Sequence, residues 1–464
     1  MTTAPTVAAP AFAPTADTAR PPLTFGRIAR TWWPLAASWL FMSAELPALV
    51  AVIARLPDPE INLAAYGGVV FPLALIIESP VIMLLAASTA LSRDAASYAT
   101  LRRTMMRMGA ALTALHLLVA LTPLYDVVVR GIIGAPAPIV EPARLGLVLM
   151  TPWTWSIAYR RFNQGALIRF GRSRAVGIGT AIRLTTVCSV LLAGYAAGWP
   201  GIVVGTVAVA AGVMAEALYA RRAVRPVLRG PLRDRGAGAA AITTRSFAVF
   251  YVPLVLTSFL TLVAQPIGSA AMSRLPNPIA SLAVWPAIGG LIFILRSPGI
   301  AYNEVVVALL DEPDATRKLR RFALMVIAAM TLAALAVAAT PLAELWLRRL
   351  QALSPELLAL ALGGMWLIVP LAGLSVLQSW YQGAILHGRR THGITEAVVI
   401  YLAVSGALLF AAVRASHAPA YAGWIAGVPG VYIVLVSMAV AMAAQTAWLW
   451  WRARPALAGA VVTD

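Results

Sequence analysis

The chain has 464 residues, 60% of them hydrophobic and only 12% charged, with a mean hydropathy of +0.82. A water-soluble globule is excluded, and the composition fits a polytopic membrane protein. The formal net charge of +18 does not point to nucleic acid, because the basic residues, all arginine except Lys318, fall in short clusters between apolar runs.

Residues 1–29 are rich in Ala, Pro and Thr and lack a charged segment followed by a long apolar core. They read as a disordered cytoplasmic tail and not as a signal peptide. Twelve candidate spans follow, near 30–54, 66–92, 103–129, 143–169, 174–198, 200–221, 246–273, 281–310, 319–348, 356–386, 393–413 and 425–451. Each is long enough to cross about 30 Å of hydrocarbon. Residues 30–220 and 246–452 therefore predict two six-helix bundles, joined by a basic cytoplasmic linker at 221–245 and followed by a tail at 453–464. Placing both termini inside gathers most of the basic residues on one side, so the chain is expected to be multi-pass with cytoplasmic termini. Preference for Arg over Lys and abundant Ala point to a GC-rich bacterial genome, and a multi-pass chain of that origin is expected in the inner membrane.

The halves repeat with a period of about 219 residues. Arg55-Leu56-Pro57-Asp58-Pro59 returns as Arg274-Leu275-Pro276-Asn277-Pro278, Thr122-Pro123-Leu124 as Thr340-Pro341-Leu342, and Gln164-Gly165-Ala166 as Gln382-Gly383-Ala384. Prolines 34, 47, 57, 59, 80, 123 and 152 match prolines 253, 266, 276, 278, 298, 341 and 370. Six spans per repeat is an even number, so both halves enter the membrane in the same direction and face each other across a cleft.

Charges at membrane depth mark that cleft, since an ionised group in hydrocarbon costs about 3 kcal/mol and is kept only beside a partner, a ligand or water. Glu78, beside Pro80, and Arg296, beside Pro298, stand at equivalent places in the repeat. Arg296 either binds an anionic substrate, releasing Glu78, or forms a permanent ion pair with it. Arg183, deep in the fifth span, is either a ligand contact or a partner of Glu216. Glu304, two turns beyond Arg296, is placed near the same face. Glu45 and Glu78 are the proton-coupling candidates, because burial raises a carboxylate's affinity for protons. Asp126, Glu344 and Glu396 read as solvated span ends, and His116 as a histidine hydrogen-bonded within the bundle. Gln164-Gly165 and Gln382-Gly383, each followed by Gly171-Arg172 or Gly388-Arg389, are expected in loops between spans, as tight turns or a gate.

Trp33-Pro34-Leu35 and Ala65-Tyr66-Gly67, with Pro253-Leu254, Pro266-Ile267, Ser273-Arg274 and the spacing from Pro298 to Glu304, resemble the progressive-ankylosis (ANK) branch of the multidrug/oligosaccharidyl-lipid/polysaccharide (MOP) superfamily. That superfamily includes the multidrug and toxic-compound extrusion (MATE) proteins. The resemblance implies an all-α, twelve-helix transporter without a resident cofactor, exporting a small multivalent anion from the bilayer-embedded cleft. Coupling would be to H+ or Na+. Alternatives are a cation or drug antiporter, supported by the deep acids, and a flippase for a lipid-linked precursor. A membrane-embedded enzyme would need a catalytic constellation, and no His/Asp, Cys/His or acidic metal cluster is evident; the lone Cys188 lies in an apolar run. No Gly-rich phosphate loop with its Lys is present, which excludes a built-in ATPase.

Overall fold

The computed structural model describes residues 23–234, 243–388, 392–418, 423 and 427–459. Among them every regular element is helical. Among the described residues the chain runs back and forth as twelve rods. They are α1 (Phe25–Ile53), α2 (Pro59–Leu91), α3 (Ala95–Leu121), α5 (Ser173–Ala196), α6 (Gly201–Arg229), α7 (Arg245–Met272), α8 (Pro278–Leu309), α9 (Ala315–Ala339), α10 (Pro355–His387), α11 (His392–Ser416) and α12 (Gly430–Leu457), with α4 built from Ala137–Leu149 and Thr151–Arg169. The eleven besides α4 are apolar and long enough to span a membrane. The second segment of α4 carries Arg160, Arg161 and Arg169, and its polarity reflects where it points.

Local signals set the rod ends. Asp94 and Thr243 form capping boxes with Ser97 and Ser246, Thr24 caps α1, and prolines open α2, α8 and α10. Several expected boundaries shift. Helix begins at Phe25, inside the expected tail, and α6 continues to Arg229, into the expected linker; the last helix runs to Gly459. Residues 1–22 and 235–242 of those segments lie outside the described residues.

The rods form two lobes, α1–α6 and α7–α12, and an even number of crossings leaves both ends of the rod array on one face, here the terminal face. Prolines and breaks bend the rods that meet between the lobes. In α1 the ring of Pro47 deprives the helix of an amide hydrogen, and the helix restarts at Glu45 after a break at Ala44. The first segment, Phe25–Ser43, places Ile28 in one buried cluster with Tyr302, Val305 and Leu319 of the second lobe, while Leu49, Val50 and Ile53 stay in the main core. The first rod is thus shared between the bundles. On the distal face the lobes touch closely: a Cβ on Gly67 would lie 2.5 Å from Pro286 Cγ, so only glycine permits that approach.

Candidate functional site

A cavity of about 900 Å3 lies between the lobes. It runs from the contact of Gly67 with Pro286 toward the terminal face, where Ile82, Asn303 and Gln445 line it. Four arginines, Arg160, Arg161, Arg183 and Arg296, and two carboxylates, Glu45 and Glu78, reach its wall. Hydroxyl and amide groups of Thr257, Gln265, Ser375, Gln378 and Tyr401 fill out the second lobe's side, with Trp285 and Phe293 among them, and Trp153 faces the cavity from the first lobe.

The first lobe's charges form a buried network. Arg160 donates to Glu216 Oε2 at 2.5 Å, and Gln164 donates to Glu216 Oε1 at 2.8 Å. Arg183 pairs with Glu45 at 3.0 Å and approaches Glu216 at 3.8 Å. Glu216 is 1% exposed, so it depends on these partners for solvation. The break at Ala44 makes Glu45 the first residue of a helical segment, where the helix N-terminus favours its negative charge. Three of the six cavity charges are therefore already neutralised: Arg160, Arg183 and Glu45.

The other three are not. Arg161, Arg296 and Glu78 have no oppositely charged group within 4.0 Å among the described residues, though all three line the cavity. Glu78 is 3% exposed and feels Arg160 and Arg161 of its own lobe as its electrostatic neighbours. The expected permanent pair of Glu78 with Arg296 is absent; the two share the cavity without touching. Among the described residues, the buried atoms Glu78 Oε2 and Arg296 Nε have no hydrogen-bond partner.

Three further expectations change. Glu304 is exposed and off the cavity, because α8 breaks at Ala301 and turns the following segment, so that Asn303 lines the wall instead. Glu45 is ion-paired with Arg183 at 3.0 Å, a partner the sequence did not assign to it. The two Gln-Gly pairs are not in loops. Gln164 and Gly165 lie inside α4, and Gln382 and Gly383 inside α10. A Cβ on Gly165 would meet the Leu85 carbonyl at 2.4 Å, and one on Gly383 would meet Val306 Cβ at 2.6 Å, so both glycines serve rod-to-rod packing. The turn after α4 is made by Gly171, with φ +72°; Arg389 and Arg390 lie outside the described residues. His116 is buried between Thr154 Oγ1 (2.8 Å) and the Leu147 carbonyl (2.9 Å). Asp126 binds Arg130 and Arg144, Glu344 binds Arg348, and Glu396 binds Arg452.

Arg160, Arg161, Gln378 and Gln445 were missed as site residues, although the repeat relates Arg160 to Gln378. Arg160 plus 218 is Gln378, and Gln378 donates to Gln445 at 3.0 Å. The second lobe thus carries an uncharged counterpart of the pair Arg160–Glu216, on α10 and α12 in place of α4 and α6. One lobe presents a charged wall, and the other a neutral amide wall with Arg296 where the first has Glu78.

An internally duplicated, all-helical membrane protein with a polar cavity between its lobes is the class this architecture defines. More particularly, it has the fold of the MATE transporters and their MOP-superfamily relatives. No family model and no curated protein sequence matches the chain. Among solved structures, an inward-facing multidrug resistance MATE family transporter of the MOP superfamily matches with TM-score 0.68 and 15% identity, over 94% of this chain and 99% of that one. The lipid II flippase MurJ, in an inward closed conformation, matches with TM-score 0.62 and 11% identity, over 92% and 91%. An outward-facing multidrug resistance MATE family transporter gives 0.58 at 16% identity, over 92% and 96%.

Proposed function

We propose that the chain is a secondary transporter that moves a small organic or phosphorylated anion across the membrane by rocking of its two lobes. The observation that carries this reading is the pair Arg161 and Arg296, one from each lobe, both lining the cavity without a carboxylate within 4.0 Å among the described residues. A guanidinium offers a planar fork of donors that matches carboxylate or phosphate oxygens, and an anion seated between the two would tie the lobes together. The short motifs that resemble those of the ANK branch favour the same substrate class. Clustered arginines near the terminal face support a cytoplasmic placement of that face, and with it a cavity open to the cytoplasm.

In this scheme Glu78 is the coupling carboxylate. It is buried, it has no ion-pair partner within 4.0 Å among the described residues, and it shares the cavity with Arg161. An anion that occupies Arg161 offsets positive charge around Glu78, so the binding of substrate and of the coupling ion is linked. Glu78→Gln is expected to bind the anion but to lose the dependence of uptake on a pH gradient. A second reading, an organic-cation antiporter, takes its support from the same unpaired Glu78 with Trp153, Trp285 and Phe293 around it.

Counterflow in proteoliposomes separates the two. A panel of tricarboxylate, nucleotide, diphosphate and quaternary-amine substrates is offered with and without a proton gradient. Anion uptake supports the first reading, and uptake of the amines alone sinks it.

A further inference from the structure

The repeated segment Arg55-Leu56-Pro57-Asp58-Pro59 and Arg274-Leu275-Pro276-Asn277-Pro278 plays no part in the cavity. Its arginines instead cross between the lobes on the distal face. Arg55 donates to the carbonyls of Arg349 (2.8 Å) and Leu350 (2.9 Å). Arg274 donates to those of Gly131 (3.1 Å), Ile132 (2.7 Å) and Ile133 (2.6 Å). The accepting segments, Val127–Ile133 and Leu345–Leu350, are themselves repeat equivalents, each a short helix ending at that face.

Each guanidinium also bonds the carbonyl four residues back in its own rod, Ala51 for Arg55 and Ala270 for Arg274. Every arginine thus sits between the C-terminal ends of two helices. Helix C-termini carry partial negative charge, so the two ends repel and the cation joins them. Removing the cation leaves unsatisfied carbonyls facing each other, which water solvates once the lobes part.

A second reciprocal pair binds the lobes along their flanks. Trp32 Nε1 donates to the Pro298 carbonyl at 2.9 Å, and the Tyr251 hydroxyl donates to the Pro80 carbonyl. Trp32 and Tyr251 are 219 residues apart, and Pro80 and Pro298 are 218 apart. The helices break at Met83 and Ala301, three residues past each proline, which frees these carbonyls to accept.

We propose that Arg55 and Arg274 form a two-part latch that holds the distal face shut, and that Trp32 and Tyr251 mark the seams about which the lobes turn. The latch must release for the cavity to open distally. The proposal extends the transport reading, but the structural equilibrium it concerns is measured without any substrate, so the two fail separately.

The experiment is pulsed electron spin resonance on the full chain in nanodiscs. Spin labels are placed at Glu141→Cys and Glu356→Cys, exposed distal positions on α4 and α10, in a Cys188→Ser background. The parent chain is expected to give one short distance. Arg55→Ala with Arg274→Ala is expected to raise the ratio of long to short distances about a hundredfold, about tenfold for each charged hydrogen-bonding site removed. Should the double variant not fold, Arg55→Gln and Arg274→Gln singly are each expected to give about a tenfold rise. Arg348→Ala, which breaks an ion pair with Glu344 on the same face, is expected to change nothing. Unchanged distances in the latch variants, or an equal shift in Arg348→Ala, would overturn the proposal.

Discussion

The first lobe's buried pair can be replaced by the second lobe's own solution. Arg160 and Glu216 are in contact at 2.5 Å with side chains 7% and 1% exposed, so neither can turn to water if the other is lost. Glu216→Gln strands Arg160 and removes the second counter-charge of Arg183, and breaking a buried pair costs about 3 to 5 kcal/mol. Arg160→Gln is expected near the lower end, about 3 kcal/mol, because Arg183 still stands 3.8 Å from Glu216 and Gln164 still donates to it. The double variant Arg160→Gln, Glu216→Gln reproduces the amide pair that Gln378 and Gln445 form at 3.0 Å. Two amides that satisfy each other leave a net cost of about 1 kcal/mol. Reversible unfolding in mixed micelles, followed by tryptophan fluorescence, gives the four stabilities of the cycle. A coupling of several kcal/mol is expected. A double variant as unstable as the sum of the singles would refute the equivalence of the two pairs.

Gly165→Ala and Gly383→Ala are expected to lose about 1 to 3 kcal/mol each by overpacking, since the added methyl meets a backbone carbonyl or a Val side chain, and the same unfolding assay measures it. At the distal face, the hydrogen bond from Arg130, then the bond and charge of Arg144 against an opposing desolvation, holds the Asp126 carboxyl below its usual range. A depressed carboxylate contributes stability that is present above its unfolded pKa and is lost as pH falls through the lower folded value. Asp126→Asn is therefore expected to flatten the stability profile in the acid range below about pH 4 and to leave its slope between pH 6 and 8 untouched. Glu78→Gln, assayed by uptake with and without a pH gradient, completes the set.

Much of the fold was legible because each link rests on a coarse property. Apolar run length gave the rods, and the proline offsets of 218 and 219 gave two lobes. The site was legible only in part. Arg296, Glu78, Arg183 and Glu45 were found because a charge deep in an apolar run is conspicuous, and all four line the cavity. Arg160 and Arg161 were passed over because they lie near Arg169 and Arg172, where the end of a span and its basic loop look alike. Only the continuous helix to Arg169 places them two turns inside. Glu304 was misplaced for a related reason. Counting residues along α8 assumes an unbroken helix, and the break at Ala301 resets the angle. Pairing is less legible still. The repeat sets Glu78 opposite Arg296 in sequence, yet Glu78 faces arginines of its own lobe, because equivalent positions in two facing bundles need not meet.

The role of Arg161 and Arg296 as the two halves of an anion clamp is tested most directly by equilibrium binding in detergent, with a tricarboxylate and an organic diphosphate as probes. The account predicts saturable binding of at least one probe, weakened about tenfold or more by Arg161→Gln and by Arg296→Gln separately, since each substitution removes a charged hydrogen-bonding site worth about 1.5 to 3 kcal/mol. Anion affinity that is the same in both variants as in the parent chain would contradict it.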